Sequence, residues 1–365
     1  MDKERKKIVV LGGYGAIGSR VCTALAHLPY VECVIAGRNP RRARRLAKSI
    51  TASTLRIDVD NNADIQRHLA DAFLVINTAG PFQAQTIAVA QFCAENGIHY
   101  IDVADDHRFA SEVQQLNATA KRNNCRMVTA AASLPAMASV LVDSLADHFD
   151  RIDEIRVSAL AGTRVPVGLG SVRTLLGKIG EIDRVKIRSR WREVFCWTGS
   201  QRVQFPAPLN QKRVYLYSIP AADQFARQYG IREATFRFGL QSGFLNGGLA
   251  FLGWLRRIGM IKAPARFARP LFAAARRIGR SGGSTYVVQV EVTGSQADTP
   301  VEHAAALLDA ESDGLSLQTA MIVNIATRWI EQGTVDSGAT SAIGMTSLEQ
   351  LKPDLIERHV KLIRS

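Results

Sequence analysis

Through its first 133 residues the chain alternates short apolar runs with segments whose apolar positions recur at helical spacing. Ile8-Val9-Val10-Leu11-Gly12 is an unbroken apolar run, and the segment after it carries Ile17, Val21, Leu25 and Leu28 on one helical face. The same alternation pairs "VECVIAG" (31–37) with "PRRARRLAKSI" (40–50), whose Pro stands in the first turn and whose apolar face is Ala43, Leu46, Ala47 and Ile50. It continues with "TLRIDV" (54–59) and "NADIQRHLADA" (62–72), then "FLVINTAG" (73–80) and "QTIAVAQFCAENG" (85–97). "IHYIDVA" (98–104), "RFASEVQQLNATAKRNN" (108–124) and "CRMVTAAAS" (125–133) complete it. The run at 73–80 has no polar residue before Asn77, as a strand buried on both faces requires. Six strands joined through helices by short connections predict a doubly wound parallel α/β sheet filling residues 1–133.

Near Pro135 the pattern changes to longer alternating strands: "DEIRVSAL" (153–160), "KRVYLYSI" (212–219) and "EATFRFGL" (233–240). "STYVVQVEVTG" (284–294) and "PVEHAAALLDA" (300–310) read as an antiparallel hairpin. The prediction for 134–315 is a second, α+β domain with a mixed or antiparallel sheet and helices on one face. "SLQTAMIVNIATRWIEQG" (316–333) predicts a long amphipathic helix closed by Gly333. With "SLEQLKPDLIERHVKLI" (347–363), it can pack back on either domain, residues 316–365 being assigned to the first only by the resemblance described below.

The turn between the first strand and first helix holds the first candidate chemistry. Gly13-x-Gly15-x-x-Gly18 stands where a dinucleotide site needs it: one glycine for a sharp turn, one for phosphate approach, one for helix–strand packing. The helix N-terminus adds free N–H groups and a positive dipole end. Gly13, Tyr14, Gly15, Ala16, Ile17 and Gly18 are therefore candidate cofactor-binding residues. S-adenosylmethionine and flavin sites share part of this signature. An NAD site places Asp or Glu at the end of the second strand to accept from the ribose 2′-OH. No carboxylate stands between Val34 and Ser49, while Arg38 and Asn39 occupy that strand end. Arg38 can grip a 2′-phosphate bidentately, so the expected cofactor is NADP rather than NAD. Arg41, Arg42, Arg44 and Arg45 either add to that field or form a solvated helix face. Asp58 can accept from the adenine amino group or cap a turn. Ala79, Gly80 and Pro81 leave room for the nicotinamide ribose or simply begin a helix.

At the end of the fifth strand lies "HYIDVADDHR" (99–108). Alternation puts Tyr100 and Asp102 on one face of that strand, with Asp105, Asp106 and His107 just past the sheet's carboxyl edge. Asp105 and His107 are the candidate catalytic proton donors. The competing reading is that an aspartate caps the next helix and His107 is solvated.

"VLGGYGAIG", "IAGRN", "NTAGPF" and "GIHYIDVADD" together resemble the NADP-binding domains of the saccharopine dehydrogenase family. "AASLPAMASVLVDSL" (131–145), "GLGSVRTLLGKIG" (168–180) and "DSGATSAIGMTSLEQL" (336–351) are similar to a bacterial branch of saccharopine dehydrogenase-like oxidoreductases. The resemblance implies a Rossmann first domain, a second domain for substrate and dimerisation, and return of the C-terminal helices to the first. The resemblance names fold and cofactor and leaves the substrate open; the leading expectation is an NADP-dependent oxidoreductase acting on a C=N, C=O or C=C bond of a small or lipid-like substrate. True saccharopine reductases carry a proline-histidine pair after the fourth strand and a glutamate-glycine-rich opening to the second domain. This chain has "AGPFQAQ" and "AASLPAMAS" there, so an amino-dicarboxylate substrate is not carried over. The alternative is a non-catalytic NADP-binding scaffold or redox sensor.

Composition narrows the setting. Five cysteines without a CxxC pair predict reduced thiols and a cytoplasmic location, and no histidine spacing suggests a metal site. The net charge of +13 is concentrated: Ala234 to Val290 has nine Arg or Lys and no Asp or Glu. Within it, residues 242–283 interleave Trp254, Phe267, Leu271 and Phe272 with the arginine pairs 256/257 and 276/277. The segment is too glycine-rich to span a bilayer. It predicts two helices, each with an apolar and a cationic face, meeting a membrane surface or an acidic partner, or else covering the second domain's sheet. Nucleic acid is not an expected partner, because no recognition motif is present.

Overall fold

The computed structural model describes residues 5–187, 190–217, 219, 222–278, 283–310, 314–332 and 336–364. The chain divides into two compact units, residues 1–133 with 318–346, and residues 134–317 with 347–365.

The first unit alternates β1 (Lys6–Leu11), α1 (Ala16–Ala26), β2 (Val31–Gly37), α2 (Pro40–Ala47), β3 (Ser53–Arg56), α3 (Asn62–Leu69), β4 (Leu74–Asn77), α4 (Ala88–Glu95), β5 (His99–Asp102), α5 (His107–Gln115), α6 (Asn117–Arg122) and β6 (Arg126–Thr129). Apolar runs such as Ile8–Leu11 and Leu74–Ile76 are wholly buried, which is why they form central strands. The segment 108–124, read as one helix, breaks at Leu116 into α5 and α6.

The second unit holds α7 (Leu134–Asp143), β7 (Arg151–Ala161), α8 (Leu169–Lys178), β8 (Ile182–Ile187), β9 (Arg190–Phe195), β10 (Gln201–Phe205), β11 (Asn210–Leu216), α9 (Ala222–Gln228), β12 (Glu233–Leu240), α10 (Gly243–Arg257), α11 (Ala268–Ile278), β13 (Tyr286–Gln296) and β14 (Thr299–Asp309). The chain then supplies α12 (Ser316–Gln332) and β15 (Gly338–Ser341), followed by α13 (Leu348–Glu357) and β16 (Val360–Arg364).

Among the described residues the first sheet runs β15-β6-β5-β4-β1-β2-β3, every pair parallel. Strand order reverses between β1 and β4, the switch point at which such sheets bind ligands. The doubly wound sheet expected from the pattern is present, with β15 as an unforeseen seventh strand beside β6. The second sheet is mixed: β10-β11-β12-β7-β13-β14-β16, with β12 and β7 parallel, the rest of that path antiparallel, and the β8–β9 hairpin beside β12. The predicted hairpin is β13–β14, in register from Tyr286↔Asp309 to Gln296↔Thr299.

Three expectations need correcting. Residues 316–365 do not return to the first unit as a block. Residues 347–365 belong to the second, because "VKLIR" is a strand on β14 rather than the end of a helix. Nor is α12 amphipathic: Ser316 to Ala326 is buried throughout, in keeping with a stretch from Gly314 to Thr327 that carries no charge. Its expected terminator, Gly333, lies outside the described residues. Finally, Arg256 does not join a free cationic face. It donates to the carbonyls of Gly177 and Ile179 and pairs with Glu181 at 3.2 Å, fastening α10 to the end of α8.

Candidate functional site

The glycine loop is built at the switch point by close packing. Gly12 takes φ +70°, and a Cβ there would stand 2.9 Å from the Cα of Ala79, in the turn after β4. The left-handed residue is thus Gly12, one position before the glycine to which the spacing assigns the turn. Gly13 donates to the carbonyl of Val10 at 3.1 Å, and Gly15 to that of Gly12 at 2.7 Å. A Cβ on Gly18 would meet the Gly12 oxygen at 2.5 Å and Thr78 Oγ1 at 2.6 Å, so only glycine lets α1 approach this closely. At Gly15 a Cβ would meet only the Gly12 oxygen, at 3.0 Å.

The start of α1 lacks protein-supplied acceptors. Its first intrahelical bond runs from Ser19 to Gly15, leaving the amides of Ala16, Ile17 and Gly18 without one. No side chain caps the helix, and no acidic residue stands in its first turn. A phosphate fits that end by charge and by donor set.

At the end of β2, Tyr14 lies against Gly37, where a Cβ would be 2.7 Å from the phenol oxygen. That hydroxyl accepts from the Asn39 amide at 2.9 Å, and the Arg42 guanidinium sits 5.0 Å from the ring centre. Asn39 caps α2, its Oδ1 accepting from the Arg42 amide at 3.1 Å. Arg38 is exposed and makes no ion pair among the described residues. No carboxylate stands at this strand end, so the residues fit a 2′-phosphate better than a bare 2′-hydroxyl.

Asp58 lies in the turn after β3, its Oδ1 accepting from the Asp60 amide at 3.3 Å. Ala79 donates its amide to Asn77 Oδ1 at 3.1 Å and its carbonyl accepts from Gln85 Nε2; Gly80 and Pro81 follow, with Gly80 exposed. Past β5, Asp105 and Asp106 are half-buried, and Asp106 caps α5 by accepting from the Phe109 amide at 2.9 Å. His107 is the exposed first residue of α5.

The perturbed carboxyl in this region is Asp102, which the sequence placed on a strand face without a role. It is fully buried, and its Oδ1 accepts from Thr129 Oγ1 at 2.8 Å and from the amides of Ala104 and Ala130 at 2.8 and 2.9 Å. Those bonds tie the ends of β5 and β6 together and hold Ala130 at φ 59°, a left-handed conformation unfavourable for alanine. Its Oδ2 has no hydrogen-bond partner among the described residues. Burial raises the pKa to about 6, against the pull of the Ala130 and Ala104 amides and of the Thr129 and Tyr100 hydroxyls. Beside it, Asn77 Nδ2 donates to the Tyr100 hydroxyl at 3.3 Å, and burial keeps that phenol neutral. The signal available in the sequence was the lone carboxylate inside the strand "IHYIDVA" (98–104).

Comparison with known proteins bears on the fold and on the first unit. Residues 8–152 match the family model of the saccharopine dehydrogenase NADP binding domain. A lipid droplet localized protein of Caenorhabditis elegans is 29% identical over 148 residues, covering 36% of this chain and 34% of that protein. A probable mitochondrial saccharopine dehydrogenase-like oxidoreductase of Arabidopsis thaliana is 23% identical over 241 residues, covering 59% of this chain and 53% of that protein. The matched regions thus span about a third and about half of the length of these relatives. Apo saccharopine dehydrogenase (L-Glu forming) from Saccharomyces cerevisiae shares the fold across 99% of both chains, with a TM-score of 0.66 at 14% identity. The saccharopine dehydrogenase-like resemblance read from the motifs therefore holds, as do the two predicted sheet types.

Proposed function

We propose that this saccharopine dehydrogenase-like chain is an NADP-dependent oxidoreductase moving a hydride to or from a C=N, C=O or C=C bond of a small or lipid-like substrate. The observation that carries the reading is the pairing of an uncapped α1 N-terminus with a β2 end that has no carboxylate and an exposed Arg38. Bound NADP would supply or accept the hydride; the chain supplies binding, orientation and a proton. The loop from Gly13 to Gly18 would hold the pyrophosphate, and Arg38 the 2′-phosphate, with Arg42 fixed beside it on Tyr14. Ala79, Gly80 and Pro81 border the same crevice. Asp105 and His107, just past β5, are the groups proposed to exchange the proton, since Asp102 is committed to the strand ends. The proposed location is the cytoplasm, at the face of a membrane, and the proposed assembly is a homodimer through the second unit.

The test is a titration of NADPH and NADH against the full chain and its R38A variant. Removing a charge-assisted hydrogen bond to the phosphate is expected to weaken NADPH by about tenfold to a hundredfold and leave NADH nearly unchanged. Equal losses for both would remove Arg38 from the 2′-phosphate site. Tight NADPH binding without turnover, over carbonyl, imine and enoyl substrates, would favour the scaffold reading instead.

A further inference from the structure

Helix α10 packs one side on the second unit and leaves its aromatic residues on the other. Its buried positions are Asn246 and Gly253. Asn246 bridges the Leu240 backbone through both its amide nitrogen and its oxygen, at 2.8 and 2.9 Å, and its carbonyl accepts from Trp197 Nε1 at 3.3 Å. Gly253 lets the helix close on Ile179, where a Cβ would be 3.1 Å from the side chain. Leu249 and Ala250 pack against the cluster of Ile179, Trp197 and Tyr215, while the aromatic residues of the helix face out: Phe244 is 77% exposed, Phe251 60% and Trp254 50%. Phe251 and Trp254 stack on each other at 5.8 Å rather than on the protein. Between Phe244 and Phe251, Gly247 and Gly248 look onto open space. Ile258 and Met260, just past the helix, and Phe267 and Leu271 further on are exposed as well.

Burying those rings would stabilise the fold, and no neighbour among the described residues covers them fully. The chemistry of the missing cover follows from the charges. Arg257, Lys262, Arg266 and Arg269 are exposed around the apolar residues, and residues 242–283 contain no Asp or Glu. Two copies of such a face would meet with like charges opposed, which argues against self-association. An acid-free apolar face rimmed with cations and holding a tryptophan suits a helix lying in the plane of a negatively charged lipid interface. No helix of the described residues is long and apolar enough to cross a membrane.

We infer that the outward face of α10, continued through Met260 to Leu271, docks on an anionic phospholipid bilayer surface. Rings of Phe244, Phe251 and Trp254 would enter the interfacial layer, while Lys262, Arg266 and Arg269 engage headgroups. Arg256 takes no part, being fastened to α8, and Arg257 is partly held over the Phe195 ring at 4.4 Å.

The test is sedimentation of the full chain with vesicles of phosphatidylcholine alone or mixed with phosphatidylglycerol, at low and high salt. Binding is expected only with phosphatidylglycerol, weakening as salt rises. The F251D/W254D variant, altered at exposed positions, is expected to bind about tenfold or more weakly while keeping NADPH affinity. K262E/R266E/R269E is expected to lose anionic binding equally and supplies a readout that leaves the apolar face intact. Absence of wild-type binding at low salt would overturn the inference. So would equal binding to neutral vesicles, or binding unchanged in both variants. Concentration-dependent self-association, abolished by F251D/W254D in the absence of vesicle binding, would assign the face to a second copy instead.

Discussion

A buried carboxyl and a half-buried imidazole on the same strand titrate in opposite senses, and β5 carries both. Asp102 has its pKa raised by burial from 3.8 to about 6, so the folded chain holds that proton more tightly than the unfolded one. Its contribution is fully present below about pH 4 and is lost as pH rises through 6, amounting to about 3 kcal/mol. His99 is lowered from 6.5 to about 4, first by burial and then by Lys6 and Arg126, and its Nδ1 accepts from the Arg126 amide at 3.0 Å. Its contribution is present above pH 6.5 and is lost as pH falls through 4. Between pH 4 and 6 the two slopes oppose each other. Urea unfolding at several pH values is expected to show a shallow wild-type profile across this window. D102N should then gain stability with rising pH, and H99Q should lose it. Parallel profiles for wild type and D102N would show that Asp102 is ionised in the folded state at the same pH as in the unfolded. The sequence put Tyr100 and Asp102 on one strand face by alternation, yet looked for chemistry at Asp105 and His107. Alternation tells which face a residue takes and says nothing of how deeply that face is covered.

At the scale of elements, the loop–helix junction was the most legible part of the chain, because its glycines answer to packing that spacing alone encodes. The detail it missed is the positive φ at Gly12, a consequence of the β4 turn pressing on the loop from elsewhere in the sequence. The second and third glycines of the motif are expected to separate by experiment. In G18A the new methyl meets the Gly12 oxygen and Thr78, so a stability loss of about 1–3 kcal/mol is expected, with thermal unfolding as the measure. In G15A the methyl meets only the Gly12 oxygen, at 3.0 Å, so folding should be less affected than in G18A while NADPH affinity falls. If G15A kept wild-type affinity, the phosphate would have to be assigned away from this loop. Two of the strands that escaped notice do so for separate physical reasons. "GATS" has only small residues, and becomes a strand because β6 offers it an edge. "VKLIR" follows α13 after a single left-handed residue, His359 at φ 55°, with no Gly or Pro to mark the break.

The molecule as a whole is assembled from segments that are not contiguous, which a pass along the sequence cannot reveal. Residues 318–346 complete the first unit from far down the chain, and several contacts fix them there. Trp329 is buried with its ring 5.9 Å from His99 and 5.5 Å from the Arg126 guanidinium. Lys6 Nζ donates to the carbonyl of Ile330 at 3.1 Å, and the Tyr30 hydroxyl to Glu331 at 2.9 Å. β15 closes the sheet edge along Arg126–Thr129. A ligand that binds only the folded first unit stabilises every part that unfolds with it, by about 2.7 kcal/mol at a hundredfold excess over its dissociation constant. Hydrogen exchange of the full chain with saturating NADPH is therefore expected to slow β1, β4, β5 and β6, and to slow α12 and β15 with them. The neighbouring α13 and β16 should exchange as before, since their partners are α7 and β14. Protection that stopped at residue 133 would mean that 318–346 opens independently of the sheet it completes. Protection extending equally into β16 would mean that the two units unfold as one under the cofactor's influence.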